Sequence, residues 1–257
     1  MPRASRPLLQ RARHADRVEA GVDEAGRGSL AGPVVAAAVV WDPDVEDDRL
    51  ALLRDSKKLT PKQREKARAF VLERAVAFGV GVVDAARIDE VNILNATYEA
   101  MHAALDALDQ KADVEAILVD GDRFRTYLSL RTGEFVPHAC VIEGDNTFMS
   151  IAAASILAKT HRDALMTELA RDAAVAGFGW ERNKGYGTAQ HMDALRRLGP
   201  APLHRRTFLK FLDAPPQDAP PQDAPPQDAP PQDAPPQDAP PQDAPRQDAV
   251  AESAPPV

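Results

Sequence analysis

Two apolar segments joined by a glycine-punctuated loop, Gly21 to Trp41, restrict the fold more than any other part of this chain. Gly21-Val-Asp-Glu-Ala-Gly-Arg-Gly-Ser-Leu-Ala-Gly-Pro33 runs directly into Val34-Val-Ala-Ala-Ala-Val-Val-Trp41, which reads as strand, loop, strand. Asp23 and Glu24 close the first strand. Gly26, Gly28 and Gly32 permit positive φ and let main-chain groups approach a ligand closely. Adjacent carboxylates repel an anionic ligand unless a cation lies between, so a divalent metal holding a phosphate is the chemistry this stretch suggests.

The 257 residues and their 44% apolar content suffice for a substantial core, but the chain is made of two materials. From Asp213 the unit Asp-Ala-Pro-Pro-Gln repeats, with a degenerate end at Asp243-Ala-Pro-Arg-Gln and Asp248, and residues 213–257 carry 15 of the 23 prolines and no aromatic residue. Eight Asp and one Glu against one Arg place the whole formal charge of −8 there, leaving 30 basic and 30 acidic groups before it. Such a tail cannot bury enough apolar surface to offset its ordering entropy, so residues 213–257 are expected to be disordered with polyproline II bias. The low pI therefore does not exclude a nucleic-acid partner for residues 16–212. The N-terminus carries Arg3, Arg6, Arg11, Arg13 and Arg17 without an apolar core, so residues 1–15 read as a basic flexible arm rather than a secretory leader. The one cysteine, Cys140, excludes an internal disulfide and a cysteine-built zinc site, reads as a small core residue and points to a reducing cytoplasm. No run approaches the roughly 18–20 apolar residues of a membrane span.

Along the chain, Thr60 and Pro61 open a helix with Ala67, Phe70, Val71, Ala75 and Val76 at helical spacing, which Gly79 is expected to end. Val80–Val83 reads as a third strand. Asp89 or Asn92 should cap a second helix that places Leu94, Tyr98, Met101, Ala104, Leu105 and Leu108 on one face. Ala116–Val119 is a buried strand ending on Asp120, and the apolar run within Phe135–Ile142 ends at Glu143-Gly144-Asp145. Ser150 should open a long, alanine-rich helix to about Ala174, packed closely on a sheet. A glycine-rich connection then leads to a last helix from Thr188 to Leu198. A hairpin followed by strands alternating with helices implies an α/β layer fold with a mixed central sheet flanked by helices and a small C-terminal helical portion.

Three strands in this reading end on acids: Asp23 with Glu24, Asp120, and Asp145. Open α/β sheets gather ligands at strand ends. Four carboxylates meeting there need cationic compensation, and oxygen-only ligation favours Mg²⁺ or Mn²⁺ over zinc. Two such ions could activate a water and stabilise the leaving oxygen of a phosphodiester displacement. The competing reading is that an Asp after an apolar run serves as a turn residue or helix cap, which suits Asp122 and Asp163.

These residues resemble a known family. Gly21-Val-Asp-Glu-Ala-Gly-Arg-Gly28, Asp55-Ser-Lys-Lys-Leu59, Ile117-Leu-Val-Asp-Gly121, Gly144-Asp145, Ser150 to Lys159 with Arg162-Asp163, and Lys184-Gly-Tyr186 are similar, in order, to the bacterial ribonuclease HII signature. The likeness spans roughly residues 16–210. It implies a ribonuclease H-like fold and an endonuclease acting on the RNA strand of RNA–DNA hybrids, or 5′ of ribonucleotides in duplex DNA, leaving 3′-hydroxyl and 5′-phosphate ends. By motif, Asp23, Glu24, Asp120 and Asp145 would bind the metal. Gly26, Arg27 and Gly28 would read the 2′-hydroxyl that separates RNA from DNA. Tyr186 would pack on the sugar after the junction, and Lys57 and Lys58 would hold phosphates, with Lys159 and Arg162 adding to that face. The protein would work as a monomer with no membrane partner. Gly187, where many relatives carry proline, and Asp122 depart from the pattern without touching this chemistry.

Two other readings are weaker. Type III ribonuclease H shares the fold but usually adds an N-terminal substrate-binding domain and lacks the Gly-Arg-Gly loop. A catalytically silent nucleic-acid-binding module would have no need to keep four repelling acids together. A P-loop fails because no Gly-Lys-Ser/Thr follows the glycines.

Overall fold

The structure is a computed structural model describing residues 9–14, 16–53, 56 and 59–212. The proline-rich tail, most of the basic arm, and Asp55, Lys57 and Lys58 lie outside the described residues.

The opening hairpin forms as expected: β1 (Glu19–Ala25) pairs antiparallel with β2 (Val34–Val40), with Asp23 opposite Ala37. Thr60 then caps α1 (Pro61–Arg74), its hydroxyl accepting the Gln63 N–H while the Gln63 side chain returns to the Thr60 N–H. α1 stops at Arg74, and Gly79 lies inside β3 (Ala77–Val83) instead of ending the helix. The reason is packing. A Cβ on Gly79 would stand 2.7 Å from the Leu108 nitrogen, and one on Gly81 2.7 Å from the Ala104 nitrogen, so both glycines are in the strand to let the next helix sit against it.

That helix, α2 (Ala85–Asp109), starts earlier than the sequence suggests. Asp84 caps it, accepting the Arg87 N–H. Asn92, at φ 68°, breaks it and caps the second half by accepting the Asn95 N–H at 3.1 Å. Asp89 caps nothing; its carboxylate takes the N–H groups of Arg206 and Thr207 and the Thr207 hydroxyl, tying α2 to the end of the domain.

β4 (Ala116–Asp120) runs parallel to β1, with Val22 beside Val119. A small hairpin of β5 (Tyr127–Leu128) and β6 (Phe135–Val136) precedes β7 (His138–Val141), which pairs parallel to β4 at the sheet edge. Cys140 is half-buried on this strand rather than in the core, because β7 is an edge of the sheet order β3-β2-β1-β4-β7 among the described residues. α3 (Met149–Leu169) begins one residue before Ser150 and ends five before Ala174. Two short helices follow, α4 (Trp180–Asn183) and α5 (Ala189–Leu198), the latter capped by Thr188.

The mixed sheet is a middle layer. α2 covers one face through Ala100, Met101, Ala104 and Leu105 against Val22, Val34 and Ile117. α1 and α3 cover the other, where Ala152, Ala153, Ala154 and Ala158 meet Ala37 and Val39. Small residues on both sides bring α3 close enough that Gly21 abuts the Ser150 backbone. A third cluster, around Phe178, Trp180 and Leu195, includes Ala31 and Met166 and so seats the C-terminal portion on the loop between β1 and β2.

Candidate active site

Register alone brings two of the acids together. Asp23 and Asp120 each lie one residue past the Val22–Val119 pair, at the same ends of two hydrogen-bonded parallel strands. Asp23 is 6% exposed. Burial, then the charges of Glu24 and Asp120, raise its pKa well above the usual carboxylate range, while hydrogen bonds from Ser155 and the Glu24 N–H pull it back. Ser155 arrives on α3 and also meets Ser56 at 3.0 Å. Asp120 accepts the Gly144 N–H at 2.7 Å, which ties the strand end to the turn carrying Asp145.

Asp145 follows Gly144 in a single 3₁₀ turn, and its carboxylate accepts the Asn146 amide at 3.1 Å. Among the described residues, no three His, Cys, Asp or Glu side chains stand together in the geometry that holds a metal ion. The donor chemistry nevertheless suits a hard divalent cation: Asp23, Glu24 and Asp120 are all carboxylates, the charges of the last two raise the pKa of the first, and Arg27 pairs with Glu24 at 3.2 Å. A small cleft of about 30 Å³ lies beside Glu24, Arg27, Tyr98, Asp120 and Arg123. A larger cavity of about 200 Å³, by Glu19 and Trp41, lies at the opposite end of β1 and away from the acids.

The glycine loop is built by the residues beneath it. Gly26 and Gly32 take φ of 94° and 78°, whereas Gly28 is not among the positive-φ residues. A Cβ on Gly26 would stand 2.8 Å from Arg162 Cζ, so the Arg162 side chain fills the space that a larger residue would need. Arg162 is not on the phosphate face; it is fully buried and donates to Pro33 O, Ala31 O, Ser29 Oγ and Lys184 O at 2.6–3.0 Å. Arg205, equally buried, donates to Gly32 O at 3.0 Å and Arg27 O at 2.9 Å. Burial, and then the neighbouring charge of Arg162, push the Arg205 pKa down to about 9, which still leaves it protonated at neutral pH. Nothing in the sequence separates Arg205 from its polar neighbours His204 and Arg206.

Tyr186 stands beside this loop. The Leu30 N–H donates to Gly185 O at 2.8 Å, and the Tyr186 ring lies 5.2 Å from the Arg162 guanidinium and 5.3 Å from Lys159 Nζ. Lys159 is also paired with Asp163 at 2.9 Å. Behind it, His191 Nδ1 meets Tyr186 O at 2.9 Å and His191 Nε2 meets His204 Nε2 at 3.0 Å, so two buried imidazoles fix the tyrosine's backbone.

An α/β domain with carboxylates gathered at parallel strand ends, beside a buried-arginine loop, defines a hydrolase of the ribonuclease H class. The family model described as "Ribonuclease HII" matches residues 20–211. The chain is 47% identical over 192 residues to the ribonuclease HII of Cytophaga hutchinsonii, covering 75% of this chain and 89% of the relative. To that of Paramagnetospirillum magneticum it is 50% identical over 189 residues, covering 73% and 88%. Among solved structures, the ribonuclease H2 of Pyrococcus horikoshii superposes with a TM-score of 0.58 at 28% identity, over 76% of this chain and 96% of that one. A ribonuclease HII from Archaeoglobus fulgidus, solved in complex with PCNA, shares the fold at TM-score 0.60 and 24% identity, over 78% and 98%. The chain belongs to the ribonuclease HII family. No helix among the described residues is long and apolar enough to cross a membrane.

Proposed function

We propose that this protein hydrolyses the RNA strand of RNA–DNA hybrids and cuts 5′ of ribonucleotides embedded in duplex DNA, as a cytoplasmic monomer, leaving 3′-hydroxyl and 5′-phosphate ends. The observation that carries the reading is the convergence of Asp23, Glu24 and Asp120 from β1 and β4, close enough that the last two raise the pKa of the first. Asp23, Glu24, Asp120 and Asp145 would hold Mg²⁺ or Mn²⁺, two ions in the reacting complex. Bound there, divalent ions supply Lewis acidity toward the scissile phosphate and acidify the attacking water.

The chain's own residues do the rest. Hydrogen bonds from Ser155 and the Glu24 N–H favour the ionised form of Asp23 and offset part of the burial that raises its pKa. Gly26, Arg27 and Gly28 meet the ribose 2′-hydroxyl, the one group that differs from DNA at that position. Tyr186, its ring backed by Arg162 and Lys159, presents a flat face to the next sugar. Lys57 and Lys58 bind the phosphate backbone and contribute affinity without selecting sequence. Incubation of a duplex containing one ribonucleotide with the protein and Mg²⁺ or Mn²⁺ tests this, with the cut mapped at nucleotide resolution. A single cut on the 5′ side of the ribonucleotide is expected; cleavage of the all-deoxy duplex, or no cleavage with either ion, would reject the reading.

A further inference from the structure

Resting on the reading that the Gly26-Arg27-Gly28 loop meets a 2′-hydroxyl, we infer that Arg205 is a positioning residue for sugar discrimination, acting together with Arg162 from beneath the loop. Arg205 donates directly to Arg27 O, and Arg162 acts one step removed: its guanidinium donates to Ser29 Oγ at 2.6 Å, and Ser29 Oγ lies 3.0 Å from Gly26 O as donor. Two of the three carbonyls of the recognition tripeptide, Gly26 O and Arg27 O, are thereby turned inward, one toward the Ser29 hydroxyl and the other toward the buried Arg205 guanidinium. In a planar trans peptide the C=O and the following N–H point in opposite directions. Holding Gly26 O and Arg27 O inward therefore aims the N–H groups of Arg27 and Gly28 outward. Both residues are exposed, and neither N–H has a backbone acceptor among the described residues. Two outward amides side by side are suited to accept an oxygen ligand.

The cost of the arrangement supports a role beyond packing. Arg205 is 0% exposed, its Nη2 has no hydrogen-bond partner, and it lies near enough to Arg162 for the two charges to repel. An apolar side chain of similar volume would fill this space without burying a second, incompletely paired cation. What only the guanidinium supplies is a simultaneous grip on Arg27 O at the loop tip and Gly32 O at its stem. Arg162 extends the same grip to Lys184 O and to the Tyr186 ring, so one buried pair sets the loop and the tyrosine together.

The test measures binding of the full chain, in EDTA so that no cleavage occurs, to a labelled duplex with one ribonucleotide and to its all-deoxy twin. For Arg205→Met, preference for the ribonucleotide duplex should fall about tenfold, the size of a lost hydrogen bond, while affinity for the all-deoxy duplex holds. Arg205→Lys keeps the charge but not the two-carbonyl reach and should lose about threefold on the same arm. In cleavage assays the loss should appear in KM for the ribonucleotide substrate. Circular dichroism shows whether Arg205→Met is folded; where it is not, Arg205→Lys decides. An unchanged preference ratio in the folded variant, or equal weakening of both duplexes, overturns the inference. A wild-type protein with no preference for the ribonucleotide duplex would instead overturn the reading of the loop itself, and the inference with it.

Discussion

Replacing Gly21 with alanine puts a methyl group where β1 meets the first turn of α3. An added Cβ would stand 2.6 Å from Ser150 Oγ, and closer still to the Ser150 carbonyl carbon and the Ile151 nitrogen, where ordinary contact begins at 3.4 Å. Two of those three neighbours are backbone, so rotating a side chain cannot relieve the clash. α3 must retreat by about 1 Å, a gap that forfeits a quarter to a half of the contact energy along its buried face. That face includes Ala152, Ala153, Ala154, Ile156 and Ala158. Together with the strain of overpacking, the expected loss is about 3 kcal/mol of unfolding free energy. Gly121→Ala is the control, since nothing lies within 4 Å of its Cβ and only its φ of +103° resists the change. That substitution should cost about 1 kcal/mol. Urea denaturation of both variants, with the wild type alongside, reads the difference. If Gly21→Ala costs no more than Gly121→Ala, the close seating of α3 on β1 is wrong. The position of Ser155 against Asp23 would then be wrong with it.

Asp23→Asn should abolish cleavage and yet raise stability in EDTA by about 1–2 kcal/mol, because it removes a buried charge crowded by Glu24 and Asp120; a thermal melt with a parallel activity assay checks both, and a destabilised variant contradicts the crowding. His204 gives a pH dependence. Burial, then the charge of His191, hold its folded pKa down at about 4, below the unfolded value of about 6.5, so the unfolded chain binds more protons between those values. The stability contribution is complete above pH 6.5 and is lost as pH falls toward 4; urea midpoints from pH 7.5 to 4.5 should drop less steeply in His204→Gln, and parallel curves would refute the assignment. Deleting residues 213–257 removes a net charge of −8 and should tighten duplex binding and steepen its salt dependence, read by anisotropy across a salt series; unchanged affinity and slope would show that the tail does not compete for the basic face.

Local chemistry was legible where one rule acted alone. Thr60 with Pro61 and Thr188 open their helices because capping is settled within one turn. The strand end at Asp120 followed from an apolar run stopping on an acid, whereas β1 runs on past Asp23 to Ala25. Gly79 misled because a glycine after a helical pattern looks like a stop, whereas here it thins a strand for α2, a demand set by a helix far along the chain. Asp89 looked like a cap and proved to be a tether to Thr207, a contact across the whole domain. Arg162 and Arg205 were the hardest to read: surface lysines and buried arginines are alike as sequence, and only the inward carbonyls of Gly26 to Pro33 explain why these two cations are inside.

The account depends on Asp23, Glu24, Asp120 and Asp145 acting as one cation site, and Mn²⁺ binding measures this most directly. Titrating Mn²⁺ into the metal-free full chain, in the presence of a duplex carrying a non-hydrolysable ribonucleotide linkage, should give saturable binding by electron paramagnetic resonance. That binding should be lost in both Asp23→Asn and Asp120→Asn. Binding that survives either substitution unchanged, or no saturable binding to the wild type, would contradict it.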